Sequence, residues 1–516
     1  SRGLGDVYKR QNLRSLQNIP LTPSFEDFEE QSSKGNLIPV YAELSADYET
    51  PISIFQKICN GKYSFLLESA ESTDRAGRYS FIGSDPRSVI EARGNEIKII
   101  KGNEIDKFQS ESGDPLKDLE SFMSSYKPVP IEGLPVFYGG AVGYLSYDAV
   151  RYFEPTINEP IEDDLGLPDM TFMITNTVVI FDHRLRKILV VSNVFVNENE
   201  DLEILYQQAR EQIIELIKKL DQTLEFRPLV KGIQTNRVNY KSNTSKEDYC
   251  QMVDKAKEYI HAGDAFQIVL SQRLEVNFQG SSIDLYRALR AVNPSPYMFC
   301  LNLGEGFSLV GCSPEVHVRA IDNRIDIRPI AGTRWRGKTL EEDDSLAEEL
   351  LSDPKERAEH IMLVDLARND VGRVSGYDTV NVDEFMIVER YSHVMHIVSN
   401  VSGQLANNKT AYDVMRATFP AGTVSGAPKV RAMQIINDLE NNKRCAYSGA
   451  IGYFGFDGNH DSCIALRTAV MKGDKTFVQA GAGVVADSDP EYEYNETLNK
   501  AMGLIKAIEF AASLED

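Results

Sequence analysis

Residues 419–433 read FPAGTVSGAPKVRAM. Pro420, Ala421, Gly422, Thr423, Ser425, Gly426 and Ala427 are small, imino or hydroxyl-bearing, so this backbone has little side-chain cover. Pro428 stands where a first helical residue belongs, and 429–433 continues as helix. A Gly-rich turn feeding a helix N-terminus is an anion site, because free N–H groups and the helix dipole converge there. The same pattern also suits an ordinary turn before a helix.

An anion site would stand against the charge of the whole. The 516 residues carry a formal net charge of -22. That balance argues against nucleic acid or an anionic membrane as partner, so any anion must be held locally by backbone, a few Arg or Lys, or a metal. Hydrophobic content of 42% and charged content of 26% suit a soluble globular protein of one large or two to three ordinary domains. The six cysteines are scattered without a C-x-x-C pair, which fits reduced thiols and a cytoplasmic location. No apolar run is long enough to span a membrane, and no secretory signal pattern opens the chain. Residues 1–11 (SRGLGDVYKRQ) read as a cloning or sequencing scar and are set aside from the fold.

Before the 419–433 stretch, strands arrive as hairpins with helices between. The pattern predicts a helix over 24–32 and strands over 63–69 and 75–82. A hairpin over 88–100 turns at Gly94-Asn95, and a helix covers 115–126. Residues 171–181 and 187–196 read as a second hairpin, and 202–220 as a helix. Residues 221–245 are polar and unpatterned. The expected organisation is an N-terminal segment (1–44), a domain over 45–220, a linker over 221–245 and a catalytic domain over 246–512. In the last, helices are expected over 246–262, 283–292 and 340–351, and strands over 265–274, 298–303, 307–312 and 315–321. Residues 139–148 (GGAVGYLSYD) echo 448–457 (SGAIGYFGFD), which suggests two similar strands where Gly lets backbones approach. The fold class expected is α+β, with antiparallel sheets and helices packed outside.

Several groups stand out for chemistry. Asp353-Pro354-Lys355-Glu356 reads as a capping box, and Asp489-Pro490 opens another helix. Glu356 and Glu359 share one helix face by i, i+3 spacing, as do Glu493 and Glu496. Four such carboxylates suit a hard cation such as Mg²⁺, and equally a solvated acidic face. His396 lies in an apolar β-like run, where it is either a satisfied core residue or a proton carrier. Arg467 reads as a cation inside an apolar strand, which requires an anionic partner. Residues 479–485 (QAGAGVV) are a further small-residue segment able to present backbone N–H groups. Nucleotide-binding loops, zinc-protease signatures and nucleophile elbows are absent.

Together four segments resemble the chorismate-binding enzymes: RPIAGT (328–333), AEHIMLVDLARND (358–370), 419–433 and 479–485. Within that family the likeness is to the large subunit of anthranilate synthase, running from about residue 45 and densest over 298–505. The resemblance implies an antiparallel sandwich with helices outside. It implies Glu356, Glu359, Glu493 and Glu496 as the Mg²⁺ shell, and Gly332, Thr333, Tyr447, Arg467, Gly481, Ala482, Gly483 and Lys500 as contacts of chorismate. By the same likeness Glu315 protonates the departing 4-hydroxyl, His396 serves pyruvate elimination, and Thr423 stands beside them. The implied reaction takes chorismate and ammonia to anthranilate and pyruvate, at the entry to tryptophan synthesis. Ammonia is expected from a separate glutaminase subunit, in a heterotetramer of two large and two small chains. L-tryptophan is expected to inhibit from a site at Glu68, Ser69, Pro296, Tyr297 and Met298.

Neighbouring branches of the family remain alternatives. Relatives that add water carry a Lys where Gln267 stands, and those making aminodeoxychorismate carry a nucleophilic Lys where Ala331 stands. A relative that stops at 2-amino-2-deoxyisochorismate is the nearer alternative, and a catalytically dead amino-acid-binding regulator a further one.

Overall fold

Val178–Phe181 and Ile188–Val191 are buried throughout, without the polar alternation of a half-exposed strand, because both faces of their sheet are covered. Val178, Ile180, Leu189 and Val191 point into an interior shared with Val142, Tyr144, Met173 and Ile451 of a second sheet. Val179, Ile188 and Val190 point the other way, onto Ile213, Leu285, Leu289 and Ile505 of packed helices. Period-two burial on both faces thus yields four layers: helix, sheet, sheet, helix.

The computed structural model describes residues 18–59, 61–69, 77–157, 161–224, 228–229, 237–391 and 394–514. Residues 1–11, the start of the 75–82 strand and part of 221–245 lie outside the described residues. The first sheet runs Leu37–Ser45, Lys187–Phe195, Thr177–Asp182, Tyr79–Ser84, Tyr63–Glu68, Tyr297–Leu303, Phe307–Ser313, Thr468–Lys472, Lys475–Val484, Gln267–Asn277, Tyr240–Ser242. Gly426–Ala427 pairs with Gln267–Asn277 beside this path. The second runs Ile330–Trp335, Val394–Gln404, Arg324–Ile327, Val316–Ile321, His460–Ile464, Ala450–Gly455, Gly140–Leu145, Met170–Ile174, Ser88–Arg93, Glu96–Lys101, Glu104–Gln109. Asn381–Arg390 pairs with Val394–Gln404. Leu202–Leu220, Ser282–Val292 and Pro490–Ala512 cover the first sheet; Pro115–Met123, Pro354–Gly372 and Ala411–Thr418 cover the second. The fold is the α+β antiparallel sandwich expected above.

Each sheet takes strands from both sides of residues 221–245. In the first, Tyr63–Glu68 pairs with Tyr297–Leu303; in the second, Gly140–Leu145 pairs with Ala450–Gly455. The latter two are the segments that echo each other in sequence. They lie side by side, Gly143 opposite Gly452. A Cβ on Gly143 would come within 1.9 Å of Thr171 O, and one on Gly452 within 2.0 Å of Asp461 O, so close backbone approach explains both glycines.

Three local expectations change. The run 171–181 is two strands in different sheets, Met170–Ile174 and Thr177–Asp182, and the chain crosses between layers at Thr175-Asn176. A β-branched run carries no mark of such a break. Asp353 does cap Pro354–Gly372, accepting from Lys355 N and Glu356 N, but Glu356 turns to Arg334 instead of closing the box. Arg467 is not within a strand: it occupies the turn between His460–Ile464 and Thr468–Lys472, exposed, with φ +46.

Candidate active site

Gly481, Ala482 and Gly483 sit in Lys475–Val484, opposite Ser271, Leu270 and Val269. A Cβ on Gly481 would lie 2.7 Å from Tyr447 Oη, and one on Gly483 2.6 Å from Gln267 Nε2. The glycines are what let Tyr447 and Gln267 rest against this strand. Gln267 Nε2 donates to Glu359 Oε1 at 3.2 Å, and Lys500 Nζ donates to Gly481 O at 3.1 Å while pairing with Glu496 at 2.6 Å. The helices Pro354–Gly372 and Pro490–Ala512 therefore both reach the same strand pair, each bringing its carboxylates.

Glu315 is half-buried, and Thr423 Oγ1 donates to its Oε2 at 2.9 Å. Burial pushes the carboxyl above the usual range, against the Thr423 hydrogen bond and the charges of Lys500 and Arg467. A carboxyl that holds its proton is suited to act as general acid. Part of the 419–433 backbone is already taken up. The N–H groups of Val424 and Ser425 are taken by Ala421 O and Gly422 O, and Gly426–Ala427 is paired to Gln267 and Ile268. The same stretch carries Thr423 to Glu315.

His396 sits opposite Thr333 in Val394–Gln404. Its Nδ1 is 2.9 Å from Gly332 O and 3.1 Å from Thr333 Oγ1. A carbonyl oxygen only accepts, so Nδ1 carries the proton and Nε2 keeps a free lone pair. Burial lowers the pKa, with Arg467 adding in the same direction, so the ring is a neutral base. Gly332 has φ +65, and a Cβ there would lie 3.1 Å from Glu356 Oε2. The guanidinium of Arg467 forms no ion pair with a described residue, yet its charge acts on both Glu315 and His396. It is a cation available to a ligand.

Glu493 is buried, and its Oε2 has no hydrogen-bond partner among the described residues. Burial raises its pKa, and Glu496 adds to the rise. The two glutamate pairs offer hard oxygen donors, which fit a divalent cation. Among the described residues, no three carboxylate, His or Cys groups are gathered closely enough to enclose one ion by themselves.

The residues expected to bind tryptophan gather elsewhere in the first sheet. Met298 lies opposite Glu68. Glu68 is buried and already engaged: Arg290 donates to both its oxygens at 2.9 and 3.2 Å, and Tyr286 Oη at 2.6 Å. Tyr297 Oη donates to Asp461 at 2.8 Å; Ser69 and Pro296 are half-buried.

Two further features escaped the sequence reading. Arg334 pairs with Glu356 at 3.1 Å and with Asp353 at 3.1 Å, holding the start of the carboxylate helix. Arg444 and Glu440 form a buried pair at 2.6 Å. Arg444 also donates to Val424 O and Val269 O, and Glu440 accepts from Ser271 N and Oγ. The i, i+4 spacing was a visible sign of that pair; the burial was not.

Residues 63–506 match the family described as chorismate binding enzyme. The chain belongs to the chorismate-binding enzyme family. Anthranilate synthase component 1 of Acetivibrio thermocellus is 47% identical over 496 residues, covering 95% of this chain and 99% of that protein. The crystal structure of anthranilate synthase component I from Streptococcus pneumoniae superposes with TM-score 0.72 at 37% identity, covering 84% of this chain and 93% of that one. A menaquinone-specific isochorismate synthase from Escherichia coli shares the fold, with TM-score 0.69 at 19% identity and coverage of 97% and 98%. Every site residue discussed above lies within the span matched to the chorismate-binding family.

Proposed function

We propose that this chorismate-binding enzyme is the large subunit of an anthranilate synthase, and converts chorismate and ammonia to anthranilate and pyruvate. The observation that carries the reading is Arg467, in no ion pair with a described residue, whose charge acts on both Glu315, a carboxyl raised by burial, and His396, an imidazole lowered by burial. The likeness to anthranilate synthase component 1 proteins adds support.

Arg467 meets a carboxylate of the dianion, and backbone around Gly481–Gly483 orients the ring. Glu315 gives its proton to the 4-hydroxyl, which leaves as water while ammonia bonds to C2. Thr423 holds the Glu315 carboxyl in line. His396 Nε2 then takes the C2 proton, enolpyruvate leaves C3 and becomes pyruvate, and the ring becomes aromatic. Glu356, Glu359, Glu493 and Glu496 would hold Mg²⁺, which when bound supplies positive charge against the substrate carboxylate. Gln267 and Ala331 at their positions favour amination at C2 over the addition of water or amination at C4 through a lysine. Ammonia comes from a partner glutaminase in a two-plus-two assembly. The setting is the cytoplasm, consistent with six free cysteines and no described helix able to cross a membrane. L-tryptophan binds at Glu68, Ser69, Pro296, Tyr297 and Met298 and inhibits.

The test is direct. Purified chain with chorismate, Mg²⁺ and ammonium at alkaline pH, where free ammonia is abundant, gives anthranilate fluorescence. Glu359→Gln loses the activity and keeps its melting temperature. No product from a folded protein sinks the reading, and a product retaining the enolpyruvyl group moves it to the 2-amino-2-deoxyisochorismate branch.

A further inference from the structure

Behind the proposed acid lies a cavity shared by Glu315, Thr423, Arg328, Thr418 and Asp370. It leaves about 40 Å³ for the centres of water molecules, where one water needs roughly 10–15 Å³, so there is room for more than one beside these polar groups. In the amination step the C2–N bond forms, the C4–O bond breaks, and the Glu315 proton departs in the water that leaves. Glu315 is then an anion, balanced by the new ammonium at C2. When that ammonium loses its proton to solvent, Glu315 must regain one before the next turnover.

We propose that Asp370 and the water of this cavity return the proton to Glu315. The proposal rests on the anthranilate-forming reading above. The other groups around the cavity leave Asp370 as the carrier. His317 also lines it, but its ring nitrogens are occupied by Ser462 and Thr418 and burial pulls its pKa down to about 3, so it stays neutral. Arg328 keeps its protons throughout, in ion pairs with Glu384 and Glu389. Asp370 is buried, with Oδ2 bound by Lys429 Nζ at 2.6 Å; Lys429 also donates to Thr418 O at 3.0 Å. Burial raises the Asp370 carboxyl, against the charges of Lys429 and Arg373. The charges of Lys500 and Arg467 also act on Glu315, whose own charge acts on Tyr447. Thr423 lines the cavity and donates to Glu315.

A route that resets the acid acts between turnovers, not within the first. Rapid-quench and steady-state measurements with chorismate and ammonium separate these. In Asp370→Asn, which keeps an acceptor for Lys429, the first turnover stays within about twofold of wild type. Later turnovers slow by ~10-fold or more, giving a burst of one product per site. Ala367→Val narrows the cavity without touching a charge and gives the same burst, so the idea does not depend on how well the Asp370 variant folds. Equal slowing of first and later turnovers makes Asp370 structural, and unchanged turnover in both variants makes the cavity idle; either result overturns the route. If wild type itself forms no aminated product, the functional reading fails and this one with it. If wild type turns over and neither variant bursts, the route alone fails.

Discussion

At the scale of single residues, Glu315 joins stability to chemistry. Its carboxyl is raised by burial, so in the native state it binds a proton more tightly than in the unfolded chain. The sign follows: between the ordinary glutamate value of about 4.3 and the raised native one, the folded state holds more protons, and stability falls as pH rises through that window. Glu315→Gln removes the titration. The variant should melt higher than wild type at neutral pH, and the advantage should vanish below about pH 4. Its turnover should fall by roughly 10²–10⁴, the worth of a positioned general acid. Calorimetry across pH with parallel assays checks both, and a melting difference independent of pH would remove the assigned cause. Nothing in the segment Ser313-Pro314-Glu315 announced a raised carboxyl or its hydrogen bond from Thr423, more than a hundred positions away in the chain.

At the scale of elements, the buried Arg444–Glu440 pair joins the 421–427 loop, the strand Gln267–Asn277 and Tyr447. The side chains are 1% and 6% exposed, so the charges are out of water and depend on each other. The guanidinium also lies over Tyr147 and Tyr447, 4.6 and 5.6 Å from the ring centroids. Arg444→Met should lower unfolding free energy by about 3–5 kcal/mol, because Glu440 is left as an unpaired buried anion. Adding Glu440→Leu should restore only part of this, since Val424 O, Val269 O and Ser271 N then lose their partners at about 1–3 kcal/mol each. Urea unfolding of the two singles and the double gives the coupling; additive singles would refute the dependence. Elements of this kind divide what the sequence shows from what it hides. The helix Leu202–Leu220 and the hairpin at Gly94-Asn95 were legible because periodicity and turn chemistry are local. The break at Thr175-Asn176 was not, because a strand buried on both faces looks the same whichever sheet it joins. At the site, the glutamate pairs were legible by spacing, and their partners Gln267 and Arg334 were hidden because those contacts join distant segments.

At the scale of the molecule, the two sheets make one body of the parts before and after residues 221–245. The proposed tryptophan residues lie where Tyr63–Glu68 meets Tyr297–Leu303. From there Phe307–Ser313 and Thr468–Lys472 lead through continuous pairing to Lys475–Val484, which carries Gly481–Gly483. A ligand that changes how the first pair packs therefore bears on the strand proposed to meet chorismate. The structure sharpens how it would do so. Glu68 is held by Arg290 and Tyr286, so an incoming ammonium must share or displace a cation already in place. On the proposed reading, that rearrangement, rather than simple filling of a gap, would couple binding to the sheet. Coupling between two sites is reciprocal in free energy, typically 5–150-fold in affinity. Tryptophan should bind the wild-type protein and weaken chorismate, and saturating chorismate should weaken tryptophan by the same factor. Ser69→Phe places a bulky ring next to Glu68 and should remove tryptophan binding while leaving uninhibited turnover in place. Titration calorimetry of each ligand, with and without the other, measures both factors. Equal tryptophan affinity in the two proteins, or tryptophan binding that leaves chorismate affinity and turnover unchanged, would show that the first sheet does not carry the signal.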